Sequence, residues 1–156
     1  YTLWHTLSLH DALPICEPSY KALESALELA KRFEAELHAV HVVGPIPMMG
    51  APGAPMAFNV AGYRKELEAD ARKRLQTIVS ERIPGEVEAH QHVLHGEAAD
   101  RITDLANELS ADLIVISTHG LTGLRHFIHG SVAEKVVRFS TCPVMSIRAP
   151  EDEDEG

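Results

Sequence analysis

Fifteen residues, 117–131 (STHGLTGLRHFIHGS), place glycines, hydroxyls and histidines between a β-branched run and a helix start. The carboxyl end of a strand opens onto the crevice where open α/β sheets bind ligands. A helix start supplies free backbone N–H groups and the positive end of a dipole, so the two together make an anion site. Gly120 and Gly130 let the backbone approach phosphate oxygens closely, and Ser131 adds a hydroxyl donor or a helix cap. The same residues would also serve an ordinary strand-to-helix connection with turn glycines and a capped helix, and their spacing leaves both readings open. His126 and His129, beside Arg125, suit either a phosphate or a polar loop. His119, next to Gly120, suits either a ligand contact or the ordering of the loop.

Other candidates carry less. His90 and His92 share one face of an alternating segment, with His95 just beyond, and closely spaced histidines do ligate zinc. The sequence gives no Cys, Asp or further His a reason to converge there. They are therefore expected to form the polar face of an edge strand, and no metal site is expected. His41, inside an apolar run, is expected to be a satisfied core histidine. Catalysis needs a nucleophile with an adjacent base, or a metal with carboxylates, in one cleft. Ser131 has no identifiable base, and Cys142, just before Pro143, reads as packing. No catalytic residue is expected.

The elements that must position the glycine loop follow from hydrophobic periodicity. From Pro18 onward, helical spacing alternates with short β-branched runs, the pattern of βα units. In 19–35, Tyr20, Leu23, Leu27 and Ala30 keep helical spacing, and Ala26, Leu29 and Phe33 widen the stripe into a well-buried helix. Residues 37–43 (LHAVHVV) read as a strand ended by Gly44-Pro45. Residues 44–62 are a long Pro-, Gly-, Ala- and Met-rich loop. A surface helix follows over 63–82, with one narrow stripe of Leu67, Ala71, Leu75 and Ile78. Val87, Ala89, Gln91 and Val93 then alternate with Glu86, Glu88, His90 and His92, as in an edge strand with one poorly covered face. A helix over 97–109, a doubly buried strand over 112–117 (DLIVIS), a helix over 131–140 and a last strand over 143–148 complete the series. Ser131 and Glu134 form a capping-box signature for the last helix. A parallel series that begins with a helix wants a strand before it. Residues 1–16 (YTLWHTLSLHDALPIC) should supply that strand, yet His10, Asp11 and Pro14 stand where a central strand is apolar. This segment is therefore expected to replace or poorly form the first strand.

Composition bounds the function. Of the 156 residues 45% are hydrophobic and 24% charged, an ordinary globular balance with one domain as the prior. The net charge of −9 includes the acidic tail at 150–156, and no cationic stripe of the kind that neutralises nucleic-acid phosphates is visible. No apolar run approaches the roughly 18–20 residues that cross a bilayer, so neither a membrane nor a nucleic-acid partner is expected, and a cytoplasmic location is.

Residues 112–148, DLIVISTHGLTGLRHFIHGSVAEKVVRFSTCPVMSIR, resemble the carboxy-terminal half of universal stress proteins, whose ATP-binding members carry G-x2-G-x9-G-[ST]. Gly120, nine intervening residues and Gly130-Ser131 match the second half of that motif, and Ser117 replaces its first glycine. Residues 21–43 resemble the first helix and second strand of the family, and His95-Gly96-Glu97-Ala98 its turn into the third helix. The resemblance covers 17–148 and implies a nucleotide-binding domain over 17–149. The implied fold is a doubly wound α/β sandwich of five parallel strands, order 3-2-1-4-5. Right-handed crossovers then put the helices at 19–35 and 63–82 on one face and those at 97–109 and 131–140 on the other. Cys16 and Cys142 fall near opposite ends of this sheet, beyond the roughly 7 Å reach of a disulfide, and are expected as free thiols.

The resemblance further implies a regulatory protein that binds an adenine nucleotide, ATP with or without Mg2+. The implied contacts are Val42 at the adenine and Ser117, His119, Gly120, Gly130, Ser131 and Val132 at the phosphate side. It also implies a homodimer through the last strand, Val144–Ile147, whose edge needs covering. In ATP-binding relatives the first strand ends in an Asp followed by a Gly-Ser turn. Counting back from Glu17 without a gap puts that Asp on Pro14 and the pair on Ile15-Cys16. The alternative is a dimerising interaction module of the same fold that binds no nucleotide. Enzymatic activity is expected to be slow ATP hydrolysis at most.

Overall fold

The computed structural model describes residues 2–6, 17–45, 60–118 and 131–148. Among these, the elements run β1 (Thr2–Thr6), α1 (Glu17–Phe33), β2 (Glu36–Val43), α2 (Val60–Arg82), β3 (Ala89–His95), α3 (Ala98–Glu108), β4 (Leu113–Ser117), α4 (Ser131–Phe139) and β5 (Val144–Ile147). The strands form one sheet of order β3-β2-β1-β4-β5, and every pairing is parallel.

Alternation along the central strands builds a core on each face. Leu37 and Ala39 of β2 and Val115 of β4 pack with Ala22, Leu23, Ala26 and Ala30 of α1 and Leu75 and Ile78 of α2. Val40 and Val42 with Ile114 and Ile116 point the other way, against Ala98, Ile102 and Leu105 of α3 and Ala133 and Val136 of α4. β2 is buried from Leu37 to Val43 because helices cover both of its faces, which is why it reads as a continuous apolar run. Helices α1 and α3 each end on a residue with positive φ, Glu34 and Ser110, the left-handed turn that terminates many helices. Between β3 and α3 the chain turns at Gly96, with φ of 129°, a region that side chains rarely adopt.

Two expectations need correction. Residues 1–16 do supply a first strand, paired on both sides. It is Thr2–Thr6, separated from α1 by residues 7–16, so His10, Asp11 and Pro14 fall after it and outside the described residues. Thr2–Thr6 pairs on both sides, with Glu36 to Val40 of β2 and, from Leu3, with Leu113 to Ile116 of β4. Helix α1 is one-sided rather than buried all round. Phe33, counted in its apolar stripe, is 56% exposed because it lies in the last turn, beyond the sheet's cover. On the edge strand β3 and the residues leading into it, the polar face is the wetter one, as expected: the Glu88 and His90 side chains are 69% and 42% exposed, whereas Val87 is 7% exposed and Ala89 and Val93 pack on the core.

Candidate functional site

The crevice follows from strand lengths. The chain winds from β1 to β3 with α1 and α2 on one face, then crosses to β4 with α3 on the other, so the order reverses between β1 and β4. At this reversal the described part of β1 stops before its two neighbours do. Thr6, its last residue, pairs with Val40 on one side and Ile116 on the other. β2 continues to Val43, paired there with His95 of β3, and β4 continues to Ser117, paired with Ile147 of β5.

Backbone direction then decides what lines the notch above Thr6. In a strand, alternate residues turn their N–H and C=O to opposite neighbours. Leu37 N–H donates to Glu88 O at 2.8 Å and Val43 O accepts from Gly96 N–H at 3.1 Å, so the odd residues of β2 serve β3 and the even ones face β1. In β4, Ile114 N–H donates to Pro143 O and Thr118 N–H to Ile147 O, so its even residues serve β5 and its odd ones face β1. The backbone groups of Val42 and Ser117 therefore point toward each other across the end of β1, about two strand spacings or roughly 9–10 Å apart. The Val42 side chain is 1% exposed, within the cluster that packs on α3, so what this residue offers the notch is backbone.

Ser131 is the first residue of α4, and Val132 packs against the cluster that holds Val42 and Ile116. The middle of α4 is tied to the start of α3 by an ion pair between Lys135 Nζ and Glu97 Oε1, 3.2 Å apart. Ser117 is half-buried at the end of β4. Among the expected site residues, the described ones are Val42 near the end of β2, Ser117 at the end of β4 and Val132 in the first turn of α4. His119, Gly120, Gly130, His126 and His129 lie outside the described residues, as do Cys16 and the side chain of Ser131. Cys142 is a half-buried free thiol packed against the second core cluster, with Ser140 Oγ 3.4 Å from its sulfur.

At the opposite, amino-terminal end of the sheet lies a constellation that sequence reading passed over. Parallel register sets His38 beside His90 and Val40 beside His92. The ring of His38 stacks on His90 at 4.7 Å between centroids and on His92 at 5.2 Å, and His38 Nδ1 lies 2.9 Å from His92 Nε2. Glu36 Oε2 is 3.7 Å from His38 Nε2 and 3.8 Å from His90 Nε2. His90 and His92 were visible as a strand face, but the convergence of Glu36 and His38 depends on register, whose only sequence trace is the i, i+2 spacing of Glu36 and His38.

Burial and the neighbouring His92 and His90 lower the His38 pKa from 6.5 to about 4, and burial lowers that of His92 too. Between pH 6.5 and about 4 the unfolded chain takes up a proton at His38 that the folded protein refuses. Stability from this ring is complete above pH 6.5 and is lost as pH falls toward about 4, by at most about 3 kcal/mol. Thermal denaturation in a chelating buffer should show that decline, and His38→Leu should flatten it. An unchanged acid limb in the variant would contradict the assignment. At the far end of β3, His95 Nε2 meets Glu68 Oε2 at 3.3 Å, and the Arg72 guanidinium, then His95, hold the Glu68 carboxyl below its usual range.

Comparison with known proteins places this geometry. A model of the universal stress protein family matches residues 14–148. A universal stress protein of Methanocaldococcus jannaschii is 35% identical over 135 residues, spanning 86% of this chain and 78% of the relative. The universal stress protein YxiE of Bacillus subtilis is 34% identical over 135 residues, spanning 83% and 90%. The solved universal stress protein from Archaeoglobus fulgidus superposes with a TM-score of 0.67 at 25% identity, covering 94% of this chain and 98% of that one. Two more solved members share the fold. One is in complex with cAMP (TM-score 0.55, 21% identity, 94% and 96% covered). The other, from Archaeoglobus fulgidus, is in complex with dAMP (TM-score 0.55, 23% identity, 94% and 98% covered). The family match runs from just before α1 through β5 and so takes in both β2 and β4, which flank the notch, and on these grounds the chain belongs to the universal stress protein family.

Proposed function

We propose that this chain is a regulatory, non-catalytic protein that binds an adenine nucleotide in the notch above Thr6. The observation that carries the reading is the pair of strand ends, Val42 and Ser117, whose backbone groups face each other across the end of β1. Two strand ends that turn amide and carbonyl groups toward the same line suit a flat heterocycle with donors and acceptors on its rim. The phosphates then fall to the loop carrying His119, Gly120 and Gly130 and to the α4 start at Ser131 and Val132, where helix-end N–H groups favour an anion. Solved members in complex with cAMP and dAMP support the class of ligand. ATP, with or without Mg2+, is the fuller form of the same ligand.

NMR titration of the full chain with AMP and ATP into the millimolar range tests this. Amide shifts should concentrate at Val42, Ser117, Thr118, Ser131 and Val132. Absence of saturable shifts, or shifts centred elsewhere, would overturn the reading.

A second reading, a dimerising module without nucleotide, is favoured by the edge position of β5, where Met145 is 37% exposed, beside exposed Val137 and Phe139 of α4. An open parallel edge with apolar neighbours is a surface that a second copy would cover. The two readings are compatible, and a homodimer through Val144–Ile147 is part of the proposal. No helix among the described residues is long and apolar enough to cross a membrane.

A further inference from the structure

We propose that Glu36, His38 and His90 form a binding site for one divalent transition-metal ion of the zinc class, at the amino-terminal end of the β2–β3 pair and remote from the nucleotide notch. Register makes the site. β3 is an edge strand, His90 lies directly beside His38, and the period of two puts Glu36 on the same face as His38. One donor atom from each of these three residues falls within 4.8 Å of the other two.

The spacing suits a small ion. With metal–ligand bonds of about 2.0–2.2 Å in a tetrahedral shell, neighbouring donor atoms lie roughly 3.3–3.6 Å apart. The 3.7 and 3.8 Å between Glu36 Oε2 and the two imidazole Nε2 atoms need only a few tenths of an ångström of closure. Glu36 and His90 are partly exposed and can make that adjustment, while His38 is held in place by the sheet and by its stacking partners.

Donor chemistry selects the ion. Two imidazole nitrogens and one carboxylate oxygen suit Zn2+, Co2+ or Ni2+, whereas Mg2+ and Ca2+ require shells built of oxygen. Three protein ligands leave a position open to water. His92 supplies the outer contact that metal-binding histidines ordinarily make: with Nδ1–H of His38 donating to His92 Nε2, the lone pair of His38 Nε2 is directed at the site. Negative charge surrounds the approach. Glu34, Glu36, Glu86 and Glu88 line an adjoining groove in which Lys31 is paired with Glu86 at 2.6 Å. Glu88 Oε1, 3.5 Å from His90 Nε2, is within reach as a further oxygen.

The full chain, first stripped with a chelator, is titrated with Zn2+ in competition with a chromophoric chelator, and with Co2+ followed by its visible d–d absorption. Wild type should bind one ion with a Co2+ spectrum of low coordination number, and Zn2+ should raise its melting temperature. His90→Ala and Glu36→Gln, both at partly exposed positions, should each weaken that binding at least tenfold and abolish the Zn2+-dependent rise while leaving circular dichroism unchanged. His95→Ala, at the other end of the same strand, should bind as wild type does. Wild-type affinity in His90→Ala, equal loss in His95→Ala, or no low-coordinate Co2+ spectrum in wild type would each overturn the proposal.

Discussion

A hybrid in which residues 1–16 are replaced by a β-branched strand ending in Asp-Gly-Ser before Glu17 should bind ATP about tenfold to a hundredfold more tightly than the chain as it stands. The expected gain follows from one charge-assisted hydrogen-bond set. A carboxylate at the end of the central strand would meet the ribose hydroxyls, and hydrogen bonds to a charged group contribute roughly 1.5–3 kcal/mol. In the present chain the gap-free count puts Pro14 at that position, and Pro has neither a carboxylate nor a backbone N–H. The described β1 is Thr2–Thr6, and Pro14 lies outside the described residues. Helix-end N–H groups can hold phosphates by themselves, but the ribose and base need the first strand's end to fix their direction, and preorganisation governs how much contact energy survives as affinity. Gly130→Val in the hybrid should then abolish binding, since a β-branched side chain obstructs the close approach of phosphate to the backbone. Calorimetric titration of the three proteins with ATP and Mg2+ reads all of these effects, and equal affinities would refute the assignment of the site.

Ile114→Ala should lower stability by about 2–5 kcal/mol, the usual cost of deleting most of a buried aliphatic side chain. Ile114 is 0% exposed on β4, between β1 and β5, and belongs to the cluster that α3 and α4 cover. The loss combines unfavourable transfer with a cavity that close-packed neighbours on two helices cannot collapse. For a chain of this size each kcal/mol shifts the melting midpoint by roughly 2–4 °C, so a fall of about 4–20 °C is expected. Val137→Ala, on the exposed side of α4, should change stability by less than about 0.5 kcal/mol and serves as the control. Comparable shifts for the two variants would contradict the burial described for β4.

Periodicity made most elements legible. The stripe Ala71, Leu75 and Ile78 is buried on α2 as its spacing requires, and the run LIVIS of β4 is buried at Ile114, Val115 and Ile116 because helices press on both of its faces. These are local consequences of 3.6 and two residues per repeat, and any window of the chain carries them. Where residues fell outside that logic the reading slipped. Phe33 has helical spacing yet sits past the end of the sheet, and spacing says nothing about where the cover stops. At the strand level, Val42 and Ser117 were marked by position, but the direction of their backbone groups toward a shared notch depends on how far β1 reaches between them. The same holds for Glu36 and His38, more than fifty residues from His90. By itself the sequence determined which residues are apolar, which turns break the helices and which loop carries the glycines. Only the tertiary structure decided which strand ends stand level and which imidazoles meet, because parallel register is set by packing on both faces at once and is encoded in no single segment.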